Sequence, residues 1–303
     1  VPRTHPPLLR RAPKTVCILR LSAIGDTCHV VPLLRTLQHA WPSARFTWII
    51  GNVEAKLMRL ISDVEFITVD KRAGLAGYRD VRAALRGRHF DVLVHLQSAF
   101  RASLIGSMVR ADIKLGYDRE RARELQWLFT NAAIDSGGRE HVQDAMLRFA
   151  DALGVHEKRV EWNVPLSREA IAYANEQIPP GTQALVINPC SSIPERNWAA
   201  ERYAAVAGYA AERHGLRVIL AGGPSELERT MGAAIERAAR LPLVNQIGKD
   251  TLPLMLGLLA RARALLSPDS GPVHMATMVG TPVIGLYAVS NVDRTGPYLS
   301  RQW

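Results

Sequence analysis

Ser22-Ala23-Ile24-Gly25-Asp26-Thr27-Cys28-His29 follows a run of apolar, strand-like residues at 15–21 and leads into a helical pattern at 29–40. A second stretch, Ser267-Pro268-Asp269-Ser270-Gly271-Pro272-Val273-His274, holds the equivalent place in the other half of the chain, after residues 264–266. Each sets an Asp close to a Gly at a strand-to-helix junction, with a His a few residues later. Such a junction presents free backbone N–H groups and the positive end of a helix dipole, which makes it an anion site. One junction per half predicts an α/β fold: two Rossmann-like domains facing a central cleft, one turn holding a phosphorylated ligand and the other carrying a base.

The pattern outward from these turns supports that reading. The first half reads as strands at 15–21, 45–51, 65–70, 91–97 and 113–117, with helices at 29–40, 99–110 and 141–153. The second half reads as strands at 184–190, 217–223, 243–247, 264–266 and 283–287. Its helices fall at 199–214, at 226–240 after the N-cap Ser225, and at 251–263. Near-continuous apolar strands separated by helices indicate parallel sheets covered on both faces. The boundary is expected within 157–181, which holds Pro165 and the Pro179-Pro180-Gly181 break. The expected division is a disordered basic lead-in at 1–14, an N-terminal domain at 15–160 and a C-terminal domain at 161–303. No closing helix is read after the last strand, so an omitted C-terminal segment is expected.

A chain of 303 residues is long enough for two such domains. Its 48% hydrophobic and 22% charged content is that of a soluble globular protein and excludes a disordered chain. No run of about 18 apolar residues suggests a membrane-spanning helix, and the start lacks the apolar core of a signal peptide. Three scattered cysteines, Cys17, Cys28 and Cys190, argue against a disulfide framework and fit a reducing cytoplasm. Residues 1–160 hold 25 Lys and Arg against 16 Asp and Glu, which accounts for +9 of the net +10. That asymmetry points the first half toward an anionic partner. No nucleic-acid motif accompanies the charge. No metal motif is present, neither D-x-D nor H-E-x-x-H.

Asp26 is read either as a cap that starts its helix or as an ionised base able to accept a proton from an attacking hydroxyl. His29 is read as buried or cleft-facing. The turn matches neither a dinucleotide fingerprint nor a P-loop. In the second half, Ser191, Ser192 and Arg196 lie in a Pro-rich loop after the first strand, where hydroxyls and a guanidinium suit a diphosphate. The amides of Ser270 and Gly271 suit a phosphate. Asp269 suits sugar hydroxyls or capping, and His274 is open between phosphate contact and core. Glu226 and Glu228 follow Gly222-Gly223-Pro224, where an acid either holds ribose hydroxyls or merely favours the helix start.

Taken together, these residues resemble the lipopolysaccharide heptosyltransferases of glycosyltransferase family 9. The likeness rests on the 21–32 opening, Leu96-Gln97 with Arg101, the 115–124 segment, the 188–198 loop, Gly248-Lys249-Asp250-Thr251-Leu252 and the Asp269–His274 signature. The resemblance implies a GT-B fold. It also implies inverting, metal-independent transfer of heptose from ADP-heptose, a co-substrate rather than a cofactor. The acceptor it implies is the anionic inner core of lipopolysaccharide, Kdo or heptose. It implies Asp26 as general base. On the donor side it implies Ser191, Ser192, Arg196, Glu226 at the ribose, Lys249 on the adenine side, Asp269, Ser270, Gly271 and His274. For the acceptor it implies Arg101, Lys114, Arg119 and Arg123. Arg196 stands where many relatives carry Lys. The implied location is cytoplasmic, at the inner-membrane face, with peripheral membrane contact. Two other readings compete: a GT-B enzyme or epimerase using a different nucleotide sugar, and a non-catalytic basic binding module on the same scaffold.

Overall fold

The computed structural model describes residues 8–135 and 137–302. It divides into two compact units, the first ending at Trp162 and the second starting at Asn163.

The first unit carries β1 (Thr15–Leu19), α1 (Ile24–Ala40), β2 (Arg45–Gly51), α2 (Asn52–Met58), β3 (Val64–Val69) and α3 (Leu75–Ala84). It continues with β4 (Phe90–His95), α4 (Phe100–Met108), β5 (Ala111–Gly116), a 3-10 turn Gln126–Leu128, β6 (Ala132–Ala133) and α5 (Val142–Ala152). The sheet is parallel, in the order β3-β2-β1-β4-β5-β6. The chain winds one way from β1 to β3 and the other way from β4, so the switch point lies between β1 and β4, where ligands bind in such sheets. Val16, Cys17, Ile18 and Leu19 are fully buried, as a central strand covered on both faces requires.

The second unit carries α6 (Arg168–Gln177), β7 (Ala184–Ile187), a 3-10 turn Pro194–Arg196, α7 (Ala200–His214), β8 (Arg217–Leu220) and α8 (Glu226–Ala238). It continues with β9 (Val244–Asn245), α9 (Leu252–Arg261), β10 (Ala264–Pro268), α10 (Gly271–Met278), β11 (Val283–Leu286) and α11 (Val292–Thr295). Its parallel sheet has the order β11-β10-β7-β8-β9, with the switch point between β7 and β10.

Several expectations are corrected. Residues 1–7 of the expected lead-in lie outside the described residues. Residues 8–14 form no regular element but are attached to the first unit rather than loose. The Leu8 amide donates to the Ala152 carbonyl at 3.4 Å, the Lys14 amide donates to Asp91 Oδ2 at 2.5 Å, and Pro13 is buried. α1 starts five residues before the expected position, which places Asp26 in its first turn. The stretch expected to be linker contains α6, capped by Ser167 Oγ accepting the Ala170 amide at 3.1 Å. α6 packs against α9 so closely that a Cβ at Gly257 would lie 2.5 Å from the Ala170 carbonyl oxygen.

The end of the first unit has a local physical cause. Pro32 inside α1 has no N–H, so the Cys28 carbonyl lacks its helical donor. The Trp162 indole N–H fills that place at 2.9 Å. Thr36 Oγ1 donates to the Arg159 carbonyl at 3.3 Å and accepts the Arg159 amide at 2.9 Å. The 159–162 segment is thereby bound to α1, two residues past the boundary read from sequence.

Candidate functional site

In the first unit, Asp26 stands at the third position of α1, not at its N-cap, which is Ala23. Its Oδ2 accepts the Ala23 amide at 3.1 Å and pairs with Arg20 Nη2. The Asp26 side chain is 35% exposed and that of Arg20 only 13%. Arg20 is held from behind, since its Nη1 donates to the Leu96 carbonyl at the end of β4. Gln97 closes the switch point: its Oε1 accepts the Leu21 amide at 2.7 Å. The arrangement presents a fixed carboxylate at the helix start, where a proton acceptor is useful. His29 is buried, with Nδ1 lying 3.0 Å from Gln143 Oε1, so it belongs to the core and not to this surface.

Of the expected acceptor cations, Arg101 lies at the start of α4, and Arg119 and Arg123 lie in the loop after β5. Arg101 lies in the first turn of α4 and lines a cavity of about 130 Å³ with Asp70, Lys71 and Tyr78. The neighbouring Phe100 amide donates to Glu124 Oε2 at 2.6 Å, which brings Arg123 close to the same helix end. Arg119 stacks over Trp127, 4.6 Å from the ring centroid. Lys114 does not join them. It sits mid-strand on β5, half-buried, and its Nζ donates to the Gly106 carbonyl at 3.3 Å, toward the far end of α4 from Arg101. Burial lowers its pKa.

In the second unit, the 188–198 loop and the start of α10 come together. Arg196 Nη1 lies 3.0 Å from Asp269 Oδ2, with side-chain exposures of 28% and 9%. Thr295 Oγ1 donates to the same carboxylate oxygen at 3.5 Å. Burial, then the charge of Asp269, raises the pKa of the Tyr287 phenol, and Arg196 opposes the rise. The loop is tied to itself: the Ser191 amide donates to Asn197 Oδ1 at 2.6 Å, and Ser191 Oγ accepts the Ile193 amide at 3.3 Å. Ser192 is exposed. Asn188 closes this switch point as Gln97 closes the other, its Oδ1 accepting the hydroxyls of Ser267 and Ser270, both at 3.1 Å. The Ser270 hydroxyl is thus turned into the fold. What it leaves toward a ligand is the backbone of the α10 N-terminus, whose first turn contains no acidic residue. His274 is buried in α10.

Glu226 and Glu228 separate in role. Glu228 Oε1 accepts the Gly223 amide at 2.6 Å and its Oε2 accepts the Ser225 hydroxyl at 2.5 Å, so it shapes the turn. Glu226 is exposed in the first turn of α8. Lys249 is exposed, with Nζ donating to the Asn245 carbonyl at 2.6 Å. Burial pushes the adjacent Asp250 carboxyl up to about 7, and the charge of Glu228 adds to the shift. The three thiols are buried, and burial raises their pKa values, that of Cys190 to about 12. They are therefore not nucleophiles at neutral pH. Among the described residues no group of three or more His, Cys, Asp and Glu is placed to hold a metal ion. No helix among them is long and apolar enough to cross a membrane.

Sequence reading missed Arg20, Asn188 and Thr295. Arg20 ends an apolar strand and carries no motif of its own. The roles of Asn188 and Thr295 depend on residues brought near from distant parts of the chain.

The profile of glycosyltransferase family 9 (heptosyltransferase) matches residues 78–303. The chain is 38% identical over 292 residues to the lipopolysaccharide core heptosyltransferase OpsX of Haemophilus influenzae, covering 96% of this chain and 84% of that protein. Among solved structures, a glycosyltransferase family 9 protein from Veillonella parvula superposes with a TM-score of 0.84 at 25% identity, covering 95% of this chain and 84% of that one. E. coli heptosyltransferase WaaC with ADP superposes with a TM-score of 0.78 at 22% identity, covering 94% and 90%.

Proposed function

The chain belongs to glycosyltransferase family 9, the heptosyltransferases, and from that premise we propose how its two units divide the work of sugar transfer. It is a glycosyltransferase with the GT-B fold, a heptosyltransferase of lipopolysaccharide core synthesis. The observation that carries this reading is the 38% identity to a core heptosyltransferase along almost the whole chain.

In the proposed mechanism ADP-heptose is the donor and an anionic inner-core sugar, Kdo or heptose, the acceptor. The acceptor oxygen attacks the anomeric carbon on the face opposite the diphosphate. The new C–O bond forms as the bond to phosphate breaks, ADP leaves with the electron pair, and the hydroxyl proton passes to Asp26. Arg20 positions Asp26 by holding one carboxylate oxygen. Arg196, the Ser191–Ser192 backbone and the Ser270–Gly271 amides stabilise the departing diphosphate. Asp269 orients Arg196 and stands near the donor sugar, Glu226 near the ribose and Lys249 on the adenine side. Arg101, Arg119 and Arg123 attract the acidic acceptor. No metal is required, and the reaction runs at the cytoplasmic face of a membrane that holds the acceptor.

Product analysis tests the reading. Incubation with ADP-heptose and a Kdo-bearing core acceptor should yield the heptosylated product, with UDP- and GDP-sugars inert and EDTA without effect. Transfer from another nucleotide sugar in preference to ADP-heptose, or no transfer at all, would replace it with one of the competing readings.

A further inference from the structure

Gln126 is fully buried and its neighbours are not: Leu125, Trp127 and Leu128 are 50%, 39% and 58% exposed. Ordinary partition would bury the leucines and the indole and expose the amide. Glu124 and Leu125, two successive non-glycine residues at φ 50° and 62°, turn the backbone to make the inversion. Side-chain-bearing residues adopt that conformation only at a cost, and such strain collects at working parts of a fold. The buried amide stands where the pairing of β4 with β5 ends, after Val94 and Leu115. Beyond that pair the Tyr117 amide donates to Gln126 Oε1 at 3.2 Å. Gln126 Nε2 donates to the His95 carbonyl at 2.9 Å and to the Gln97 carbonyl at 3.4 Å, with His95 Nδ1 at 3.1 Å. A side-chain amide thus takes over from the strand ladder and grips the end of β4.

The end of β4 is also what supports the carboxylate at the start of α1. Leu96 lies between the two carbonyls that Gln126 holds, and its own carbonyl accepts Arg20 Nη1 and, at 3.4 Å, the Tyr117 hydroxyl. Arg20 Nη2 pairs with Asp26. The Gln97 side chain accepts the amide of Leu21, the residue after Arg20, at 2.7 Å. Three consecutive carbonyls, those of residues 95–97, are therefore fixed by side chains, and Arg20 takes its orientation from the middle one. A guanidinium is a rigid planar fork, so a shift of the atom that anchors one arm is passed to the partner of the other. Packing alone does not call for the amide. A leucine would fill much the same space but would leave the Tyr117 N–H and the His95 carbonyl without a partner.

We propose that Gln126 is a positioning residue of the transfer reaction: by fixing the carbonyls at the end of β4 it sets the aim of Arg20 and, through Arg20, of Asp26. The inference rests on the reading of Asp26 as proton acceptor and deepens it. Gln126→Leu in the full chain, assayed with ADP-heptose and a core acceptor, should lower kcat by about tenfold to a hundredfold, the scale of a small misplacement of a reacting group. ADP affinity by calorimetry should be unchanged. A loop that had merely lost its hold on the acceptor would instead raise the acceptor KM and leave kcat alone. Ile61→Ala is the control, a core truncation just before β3, at the end of the sheet away from the switch point. At a temperature where both variants are folded it should keep the parent kcat. In an Asp26→Asn background Gln126→Leu should cause no further loss, because no base is left to aim. A second readout needs no substrate. Exchange of the Leu21 amide, which donates to Gln97, should quicken by about tenfold or more in Gln126→Leu and not in Ile61→Ala. Gln126→Asn keeps an amide one methylene too short to reach both strands; it should show the same losses in smaller degree and serves if Gln126→Leu does not fold. An unchanged kcat, a loss shared by Ile61→Ala, a full further loss in the Asp26→Asn background, or unaltered Leu21 exchange would each overturn the proposal. A parent without transferase activity whose Leu21 exchange still responds to Gln126→Leu would remove the transferase reading and leave the coupling of Gln126 to the Arg20 segment standing.

Discussion

Both units set an arginine–aspartate pair beside the switch point of a parallel sheet, and they set it opposite ways round. In the first unit the carboxylate of Asp26 is the accessible partner, at 35% exposure, and Arg20 lies behind it at 13%. In the second unit Asp269 is the buried partner at 9%, and Arg196 is the accessible one at 28%. The helix ends follow the same inversion. Asp26 occupies the first turn of α1 and uses its dipole, whereas the first turn of α10 holds no acid and remains suited to an anion. In the proposed mechanism one ion-pair chemistry serves as proton acceptor in one unit and as phosphate cradle in the other. Which partner faces out decides between them.

The largest expected effect breaks the comparison at its first member. Asp26→Asn should lower turnover by about 10²–10⁴-fold, the scale of a lost general base, and leave ADP affinity unchanged by calorimetry. Near-normal turnover would remove the proposed division of roles.

Acidity should separate the units next. Burial pushes the buried His95 imidazole down to about 4 from an ordinary value of 6.5. Between those values the unfolded chain binds a proton that the folded one does not, so this contribution is full above about 6.5 and is lost as pH falls toward about 4. Asp250 runs the other way. Its folded value near 7 lies above the ordinary 3.8, so its contribution is largest at low pH and is lost as pH rises through about 7. Hydrogen exchange, corrected for intrinsic rates, should therefore show β4 protection rising and α9 protection falling across this range, each by on the order of a few kcal/mol. His95→Gln and Asp250→Asn should each flatten one trend. Parallel trends in the two units would contradict the assignment.

Arg196→Ala should weaken ADP binding by about tenfold to a hundredfold, the scale of charge-assisted hydrogen bonds, and Arg196→Lys should recover part of it. Unchanged ADP affinity would return Arg196 to a purely structural partner of Asp269. The smallest effect sharpens the contrast with a helix start that has no chemistry. Ser225 Oγ accepts the Glu228 amide at 3.3 Å, so Ser225→Ala should cost about 1 kcal/mol in thermal unfolding and leave transfer kinetics intact.

Much of the architecture was legible because its signals are local. Apolar strands of both halves appear within one or two residues of their observed limits at β2, β4 and β11, since a covered parallel strand must be continuously apolar. Ser225 announced its helix by capping chemistry, and its Oγ accepts the Glu228 amide; the cap Thr251, whose side chain accepts the Leu254 amide, was read only as part of its helix. α6 was missed although Ser167 marks its start, because its mixed composition resembles a linker until Gly257 of α9 lies against it. The loop after β5 was legible only as charge. The burial of Gln126 comes from partners at Tyr117 and His95 that periodicity does not predict.

The linear chain by itself determined the two parallel sheets, the strand-to-helix turns and the residue types at them, because backbone periodicity and capping act over a few neighbours. Tertiary structure alone decided what those residues do. Arg20 and Asp26 are near in sequence, but their relative exposure is set by the Leu96 carbonyl that holds the guanidinium. Arg196 meets Asp269 across 73 positions. Exposure and pairing are properties of packed surroundings, and no stretch of sequence carries its own surroundings.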